Sequence, residues 1–118
     1  MSRRERERGG RLAEGWAAWS LRLRGYRVLA RRFRTPVGEI DLVVRRGRCV
    51  AFVEVKARRD SADALDALGP RQRARIARAA EWFLKRHPRH AGCTLRFDLV
   101  IVRPWRPPRL ITDAWRPE

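Results

Sequence analysis

Two segments with period-two alternation of apolar and polar residues, joined by a short glycine turn, constrain the fold of this chain most. They span residues 39–44 and 49–56, and Gly47 lies between them. Such alternation on both sides of a turn predicts an antiparallel β-hairpin. A turn of two or four residues keeps the apolar side chains on one face, whereas a three-residue turn would scramble that face.

The predicted register divides the hairpin into an apolar face and a mixed face. A two-residue turn at Gly47-Arg48 pairs Asp41 with Glu54 and Glu39 with Lys56, and paired residues share a face. The apolar face, with Arg46 beside the turn, would hold Ile40, Leu42, Val44, Cys49, Ala51, Val53 and Val55. The other face would hold Val43, Val50 and Phe52 near the turn and Glu39, Asp41, Glu54 and Lys56 at the far end.

The predicted proximity of Asp41 and Glu54 is the main chemical signal in the sequence. Like charges that face each other across two strands destabilise a sheet, so a divalent cation between them would explain the pair. Hard carboxylate ligands suit Mg²⁺ or Mn²⁺, and a bound ion can polarise a phosphate and activate a water molecule. The plain alternative is a solvated or salt-bridged end of the sheet.

Lys56 follows on the same face and is one of two lysines, the other being Lys85, in a chain that otherwise uses arginine. A lysine is a compact cation that can lose its proton, which arginine cannot. We therefore expect Lys56 to hold or deprotonate an attacking water molecule, or to stabilise developing negative charge.

The remaining patterns predict one α/β domain over residues 9–118, with the element order α-β-β-β-α-β-β. A charged arm over residues 1–8, either mobile or the frayed start of a helix, would precede it. The expected elements are a helix from about Gly10 to Arg24, a strand over Tyr26–Phe33, the hairpin, a helix from Pro70 to about His87, and strands over Leu95–Val102 and Leu110–Trp115. Residues 58–68 are expected to be irregular.

The first helix carries large apolar residues at helical spacing: Leu12, Trp16, Trp19 and Leu23, with Ala13, Ala17 and Leu21 beside them. This stripe predicts a broad packed face, with Trp16 and Trp19 in the core.

The second helix has two contrasting faces. Its apolar face is predicted to be Ile76, Ala79, Ala80 and Phe83, and its basic face to be Arg71, Arg75, Arg78, Trp82 and Lys85. A one-sign face with an aromatic residue favours a surface that follows phosphates and stacks a base, although a solvated helix face is the usual explanation of such a run.

The charge balance agrees with a polyanionic partner. Lys and Arg total 29 against 13 Asp and Glu, a net charge of +16. Nucleic acid is the partner that this excess favours, and an anionic membrane surface is the least favoured, because the sequence lacks a strongly amphipathic basic helix with a bulky apolar face. No apolar run could span a membrane and no signal peptide precedes the domain, so we expect a cytoplasmic protein. The sequence is compatible with a homodimer.

His87, His90 and Cys93 have a spacing that could suggest zinc. A structural zinc site usually needs four ligands, and Pro88 and Gly92 favour a helix-ending loop instead.

Two motifs resemble the YraN family, small bacterial proteins with a restriction-endonuclease-like PD-(D/E)XK fold, distantly similar to archaeal Holliday junction resolvases. The motifs are GEID at residues 38–41 and FVEVK at residues 52–56. Further matches across most of the chain are Gly10–Glu14, Ala17, Leu21, Gly25, Tyr26, Ala79-Ala80, Leu84 and Arg96-Phe97-Asp98. The resemblance implies a mixed central sheet flanked by helices.

The resemblance also implies roles for individual residues. Asp41 and Glu54 would be ligands of Mg²⁺ or Mn²⁺, Lys56 the lysine of the E-x-K signature, and Glu14 an additional acid of the site or an ordinary surface acid. Glu39 is a further candidate acid on the same hairpin face. Two positions depart from the family pattern: Arg32, where asparagine is common, and Gln72, where lysine is common. The departures bear on the substrate-contact surface more than on the metal site.

Two functions follow as expectations. The first is a metal-dependent endonuclease that hydrolyses phosphodiester bonds in DNA, branched DNA included. The alternative is a nucleic-acid-binding protein that keeps the nuclease fold without catalysis.

Overall fold

A five-stranded sheet carries one long helix on each face. The computed structural model describes the backbone of residues 3–58 and 68–117 and the side chains of residues 10–58 and 68–117. The elements are α1 (Arg3–Leu23), β1 (Arg27–Thr35), β2 (Gly38–Arg46), β3 (Cys49–Ala57), α2 (Pro70–Arg86), a 3₁₀ turn (Pro88–His90), β4 (Thr94–Val102) and β5 (Arg109–Trp115). The predicted order α-β-β-β-α-β-β is confirmed, as is the mixed sheet flanked by helices.

The strands lie in the order β1-β2-β3-β4-β5. All neighbours are antiparallel except β3 and β4, which run parallel. Parallel neighbours need a crossover connection, and α2 supplies it here. The sheet is therefore mixed. Strand β3, which carries Glu54, pairs with β2 on one side and with the parallel strand β4 on the other.

The hairpin has the predicted register. Arg46 pairs with Cys49, and the two-residue turn begins at Gly47 with a φ of +61°. A left-handed residue at the first turn position matches the strand twist of two-residue hairpins, and glycine adopts it without a Cβ clash. The ladder between β2 and β3 ends at the pair Leu42 and Val53.

Each face of the hairpin packs against a different helix. On one face, α1 contributes Ala17, Ala18 and Leu21 to a cluster with Leu42, Val44, Ala51 and Val53. On the other, α2 contributes Ile76, Ala79, Ala80 and Phe83 to a cluster with Val43, Val50 and Phe52. The buried residues of α2 are those that the sequence predicts. The two helices thus fix the hairpin from opposite sides.

The predicted packed face of α1 is confirmed for Ala13, Ala17 and Leu21 and is wrong for the four large residues of the stripe. Trp16 and Trp19 are 60% and 56% exposed, and Leu12 and Leu23 are also exposed. The buried face holds small residues instead, chiefly the alanines at 13, 17 and 18. Small side chains let the helix backbone approach the sheet closely, which leaves no room for indole rings between them.

The predicted placement of Ile40 is also wrong. Ile40 packs in the α2 cluster, although Leu42, two residues later, packs against α1. The partner strand explains the change of face: Arg32, which lies between the pairs Arg31–Leu42 and Phe33–Ile40, has a φ of +51°. A left-handed residue reorients the strand locally, so the alternation is interrupted opposite Asp41.

Helix α1 begins at Arg3 and so includes most of residues 1–8. Of the two interpretations of this charged segment, a mobile arm or the start of a helix, the backbone agrees with the second. Residues 59–67, most of the segment expected to be irregular, lie outside the described residues. None of the described helices has the length and apolarity needed to cross a bilayer.

Candidate metal centre

The Asp41 carboxylate occupies the point where the β2–β3 ladder stops. One residue beyond the last pair, Asp41 Oδ2 accepts a 2.8 Å hydrogen bond from the backbone N–H of Val55. A side chain therefore takes the donor that a continuing ladder would use. The half-buried carboxylate is held at the end of the hairpin by the main chain of the neighbouring strand.

Glu54 lies beside Asp41 and is 8% exposed. Its Oε1 is 3.5 Å from the Lys56 Nζ and accepts a 3.1 Å hydrogen bond from Gln72 Nε2 in the first turns of α2. Glu54 therefore receives one partner from its own strand and one from the helix above it. The structure brings together Asp41, Glu54 and Lys56, as the sequence predicts.

Burial and the Asp41 charge raise the pKa of Glu54 to about 8, and a hydrogen bond to Asp41 contributes in the same direction, while Lys56 opposes the rise. Burial also raises the pKa of Asp41, against the hydrogen bond from Val55. Two buried carboxyl groups in contact cannot both ionise readily. The raised pKa of both groups therefore favours retention of a proton by the pair.

This donor set fits a hard divalent cation. The oxygen atoms of Asp41 and Glu54 are ligands of the kind that Mg²⁺ and Mn²⁺ prefer, and an ion held there would take the place of a proton on the pair. In the described part of the chain, no group of three or more Asp, Glu, His or Cys side chains is arranged to hold a metal. An ion at this pair would therefore need water or substrate oxygens to complete its coordination shell, as Mg²⁺ sites commonly do.

Glu14 is buried, at 4% exposed, so its interpretation as an ordinary surface acid is wrong. Its Oε2 accepts a 2.7 Å hydrogen bond from Arg32 Nε, and Arg31 Nε lies 4.0 Å from its Oε1. Its negative charge also contributes to the raised pKa of Asp41. The charge of Glu14 therefore acts on Asp41, and two arginines of β1 are its partners.

Glu39 lies at the margin of the site. Its side chain is exposed, and its Oε2 is 3.6 Å from Arg34 Nε. The candidate role of Glu39 as a further acid stays a prediction, and the structure places it at the entrance to a cleft.

That cleft, of about 400 Å³, lies between the β1–β2 turn and α2. Its lining includes Arg34, Glu39, Gln72 and Arg75. Gly38 sets its width, because a Cβ on this residue would lie 2.5 Å from the Arg75 carbonyl oxygen. The glycine of the GEID motif is therefore explained by the close approach of β2 to α2.

The basic face of α2 leads away from this cleft. Arg71, Arg75, Arg78, Trp82 and Lys85 are all exposed, as predicted. The Arg86 guanidinium lies over the Trp82 ring, 5.3 Å from its centroid, which orients the indole at the surface. This face begins close to the carboxylate pair, since Gln72, which follows Arg71 in the first turn of α2, contacts Glu54.

The His87, His90 and Cys93 cluster is part of the packing and does not form a metal group within the described residues. His90 is buried, and its Nδ1 accepts a 2.8 Å hydrogen bond from Arg45 Nη1. Burial, together with the charge of Arg45, lowers the pKa of His90. The neutral ring thus serves as an acceptor for a strand arginine.

Arg32 and Gln72 are site residues to which the sequence alone gave no role. Each pairs with an acid 18 positions away in the chain, Arg32 with Glu14 and Gln72 with Glu54. The sequence feature that could have identified them is that each departs from the residue common in the family at its position. The structure places both departures beside the carboxylates.

The fold and the site define a small α/β domain with two coupled carboxylates and a lysine at the end of a central hairpin. In a comparison with known sequences, residues 13–102 match the uncharacterised protein family UPF0102. The chain belongs to this family, which is the YraN family that the GEID and FVEVK motifs indicate.

Similar proteins come from several bacteria. A UPF0102 protein of Parvibaculum lavamentivorans is 57% identical over 92% of this chain and 81% of its own length. One from Paramagnetospirillum magneticum is 54% identical over 93% of this chain and 88% of its own. One from Mesorhizobium japonicum is 47% identical over 97% of this chain and 91% of its own length. The likeness therefore extends over nearly the whole domain.

Proposed function

We propose that this protein is a metal-dependent endonuclease that hydrolyses phosphodiester bonds in nucleic acid, with DNA the favoured substrate. The observation that supports it best is the arrangement at the end of the hairpin, where the half-buried Asp41 is held by the Val55 N–H and the buried Glu54 has the Lys56 Nζ 3.5 Å from its Oε1. Buried carboxyl pairs are costly to a fold, and perturbed carboxyl pKa values concentrate at functional sites.

Asp41 and Glu54 would hold Mg²⁺ or Mn²⁺. When bound, the ion supplies charge stabilisation to a phosphate and lowers the pKa of a water molecule. The protein fixes both ligands in advance, Asp41 through the Val55 N–H and Glu54 through the Gln72 amide. Preorganised ligands need little rearrangement during the reaction.

Lys56 would act on the water or on the phosphate. Its ammonium group is close to Glu54 and partly buried, so it can donate a hydrogen bond to a phosphate oxygen or orient the attacking water. A neutral Lys56 amine could accept the proton from that water. Both roles require a compact amino group at the end of β3, which an arginine would not supply.

The basic surface would hold the substrate backbone. The cleft beside Gln72 presents Arg34 and Arg75, and the exposed arginines of α2 continue from it. Contacts of this kind neutralise phosphates without reading base sequence. They would direct a phosphodiester toward Asp41 and Glu54.

A cleavage assay with Mg²⁺, Mn²⁺ or EDTA on branched, single-stranded and linear duplex DNA tests the proposal. We expect metal-dependent products from the wild-type protein and none from Asp41→Asn, Glu54→Gln or Lys56→Ala. Asp113→Asn, at an exposed acid of β5, serves as the matched control and should cleave normally.

The rival outcome is equally definite. Nucleic-acid binding that is intact in every variant, with no metal-dependent product on any substrate, would overturn the endonuclease and favour the non-catalytic binding protein.

A further inference from the structure

An apolar groove of about 1010 Å³ runs between α1 and the loop that joins β4 to β5. Trp16 and Trp19 project into it from α1, and Trp105 projects from the loop. All three indoles are exposed, and Trp105 is fully so. Most exposed apolar groups on a protein occur singly, so three indoles around one groove mark a binding surface.

The charge around the groove has one sign. Arg58, Arg103 and Arg106 line it, and its described lining contains no Asp or Glu. The Arg103 guanidinium donates a 3.2 Å hydrogen bond to the Pro107 carbonyl, and its Nε has no hydrogen-bond partner in the described part of the chain. Arg58 likewise donates a 2.8 Å hydrogen bond to the Ala57 carbonyl, so the contacts of these two arginines in the described part of the chain are with neutral backbone acceptors and leave their charge uncompensated.

The groove and the carboxylate site draw neighbouring residues from two elements, β3 and α1. Ala57 and Arg58, which line it, directly follow Lys56 at the end of β3. Ala13, which also lines it, directly precedes Glu14 on α1. A chain that passes the carboxylate pair could thus continue into the groove around this end of the sheet.

We propose that this groove binds the unpaired bases of a single-stranded nucleic-acid segment next to the phosphodiester to be cleaved. The inference rests on the proposed function and names its substrate class. Indole rings stack on any base, and arginines beside them track the backbone, which is how proteins bind single strands without sequence preference. Trp16 and Trp19, three residues apart on a helix, share one side of α1 and offer neighbouring stacking surfaces.

Charge complementarity favours this occupant over a second copy of the chain. A second copy carries the same net charge of +16 and would place its arginines near those of the first. A nucleic-acid strand brings negative charge together with aromatic faces.

Binding to a fluorescein-labelled oligothymidylate of about 15 nucleotides, a length that fills a typical single-strand site, tests the proposal by anisotropy in EDTA. EDTA removes any dependence on cleavage. We expect Trp16→Ala and Trp19→Ala each to weaken binding by about fivefold or more. Leu95→Ala, an exposed apolar residue at the other end of β4, is the matched control and should bind as the wild type does.

Conservative replacements separate stacking from apolar contact and from loss of fold. The double variants Trp16→Phe/Trp19→Phe and Trp16→Leu/Trp19→Leu are compared, with melting used to verify that both fold. Stacking predicts that the phenylalanine variant keeps most of the affinity and the leucine variant loses it. Equal binding by the two variants would overturn the proposal.

Further results separate this inference from the nuclease. Metal-dependent cleavage with single-strand binding that is insensitive to the tryptophans would overturn the groove inference alone. Tryptophan-dependent binding without any cleavage would support the groove and overturn the nuclease. Tryptophan variants that convert a dimer into a monomer and bind DNA normally would show that the groove holds a second copy, which also overturns the inference.

Discussion

The backbone N–H of Val55 donates a 2.8 Å hydrogen bond to Asp41 Oδ2, one residue beyond the last pair of the β2–β3 ladder. This contact turns a charged side chain toward the adjacent strand and brings it beside Glu54. The cost of gathering two carboxyl groups there appears in their raised pKa values.

The apo protein should lose stability as the pH rises from about 4.5 to about 8 through Glu54. The unfolded carboxyl releases its proton near the lower value and the folded one near the higher value, so the folded state holds more protons in this range and the free energy of unfolding falls with pH. Urea denaturation in EDTA across this range measures the slope. Glu54→Gln should reduce it, and an unchanged slope in that variant would contradict the raised pKa.

Arg32→Ala should destabilise the protein by about 1–3 kcal/mol, because it leaves the buried Glu14 carboxylate without its closest partner. Adding Glu14→Gln should recover part of the loss, since a neutral amide costs less to bury unpaired than a charge does. Urea denaturation of the single and double variants measures this coupling. If the two losses simply add, the pair does not carry the energy assigned to it.

Gly38→Ala should destabilise the protein by about 1–3 kcal/mol, since its Cβ would lie 2.5 Å from the Arg75 carbonyl oxygen and force β2 and α2 apart. Gly92→Ala is the matched control, because no atom lies within 4 Å of its added Cβ. Thermal melting compares the two variants. Equal stability would show that the close approach of β2 and α2 yields without cost.

The triple variant Arg71→Ala/Arg75→Ala/Arg78→Ala should bind duplex DNA more weakly and lower the slope of log K against log salt by up to about 3, near 0.9 for each lost phosphate contact. Replacing Arg27, Arg48 and Arg89, which are exposed near the hairpin turn at the other end of the sheet, removes the same charge. Anisotropy across a salt series should show a smaller change there. Equal effects in both triple variants would identify α2 as an ordinary solvated face.

Local patterns determined most of the fold in advance. The hairpin register followed from the alternation and the Gly47 turn, and the buried face of α2 followed from helical spacing. The face of α1 did not, because apolar patterning favours bulky residues, whereas the sheet accepts alanines at close range. The reversal at Ile40 depends on the left-handed Arg32 of another strand, which no local pattern in β2 encodes.

For the candidate site, the sequence predicted the residues that lie on the hairpin but not their partners from other elements. Asp41, Glu54 and Lys56 belong to one hairpin, so their proximity follows from register. The partners Arg32 and Gln72 come from β1 and α2, and their contacts depend on how these elements pack across the sheet end. The sequence did not predict the tryptophan groove, because the apolar pattern of α1 placed Trp16 and Trp19 in the core.

Melting of the wild type and Asp41→Asn, with and without Mn²⁺, tests the metal site most directly above the Glu54 pKa of about 8. A ligand that binds only the folded state stabilises it by about 2.7 kcal/mol at one hundred times its Kd, so Mn²⁺ should raise the wild-type melting temperature by several degrees. Without metal, Asp41→Asn should be as stable as the wild type or more so, because the amide oxygen still accepts a hydrogen bond from the Val55 N–H and the repulsion from Glu54 is gone.

The melting temperature of Asp41→Asn should respond little to Mn²⁺, while that of the control Asp113→Asn should rise as the wild-type value does. A metal-free Asp41→Asn that melts clearly lower, with no response to Mn²⁺ in either protein, would contradict the metal site.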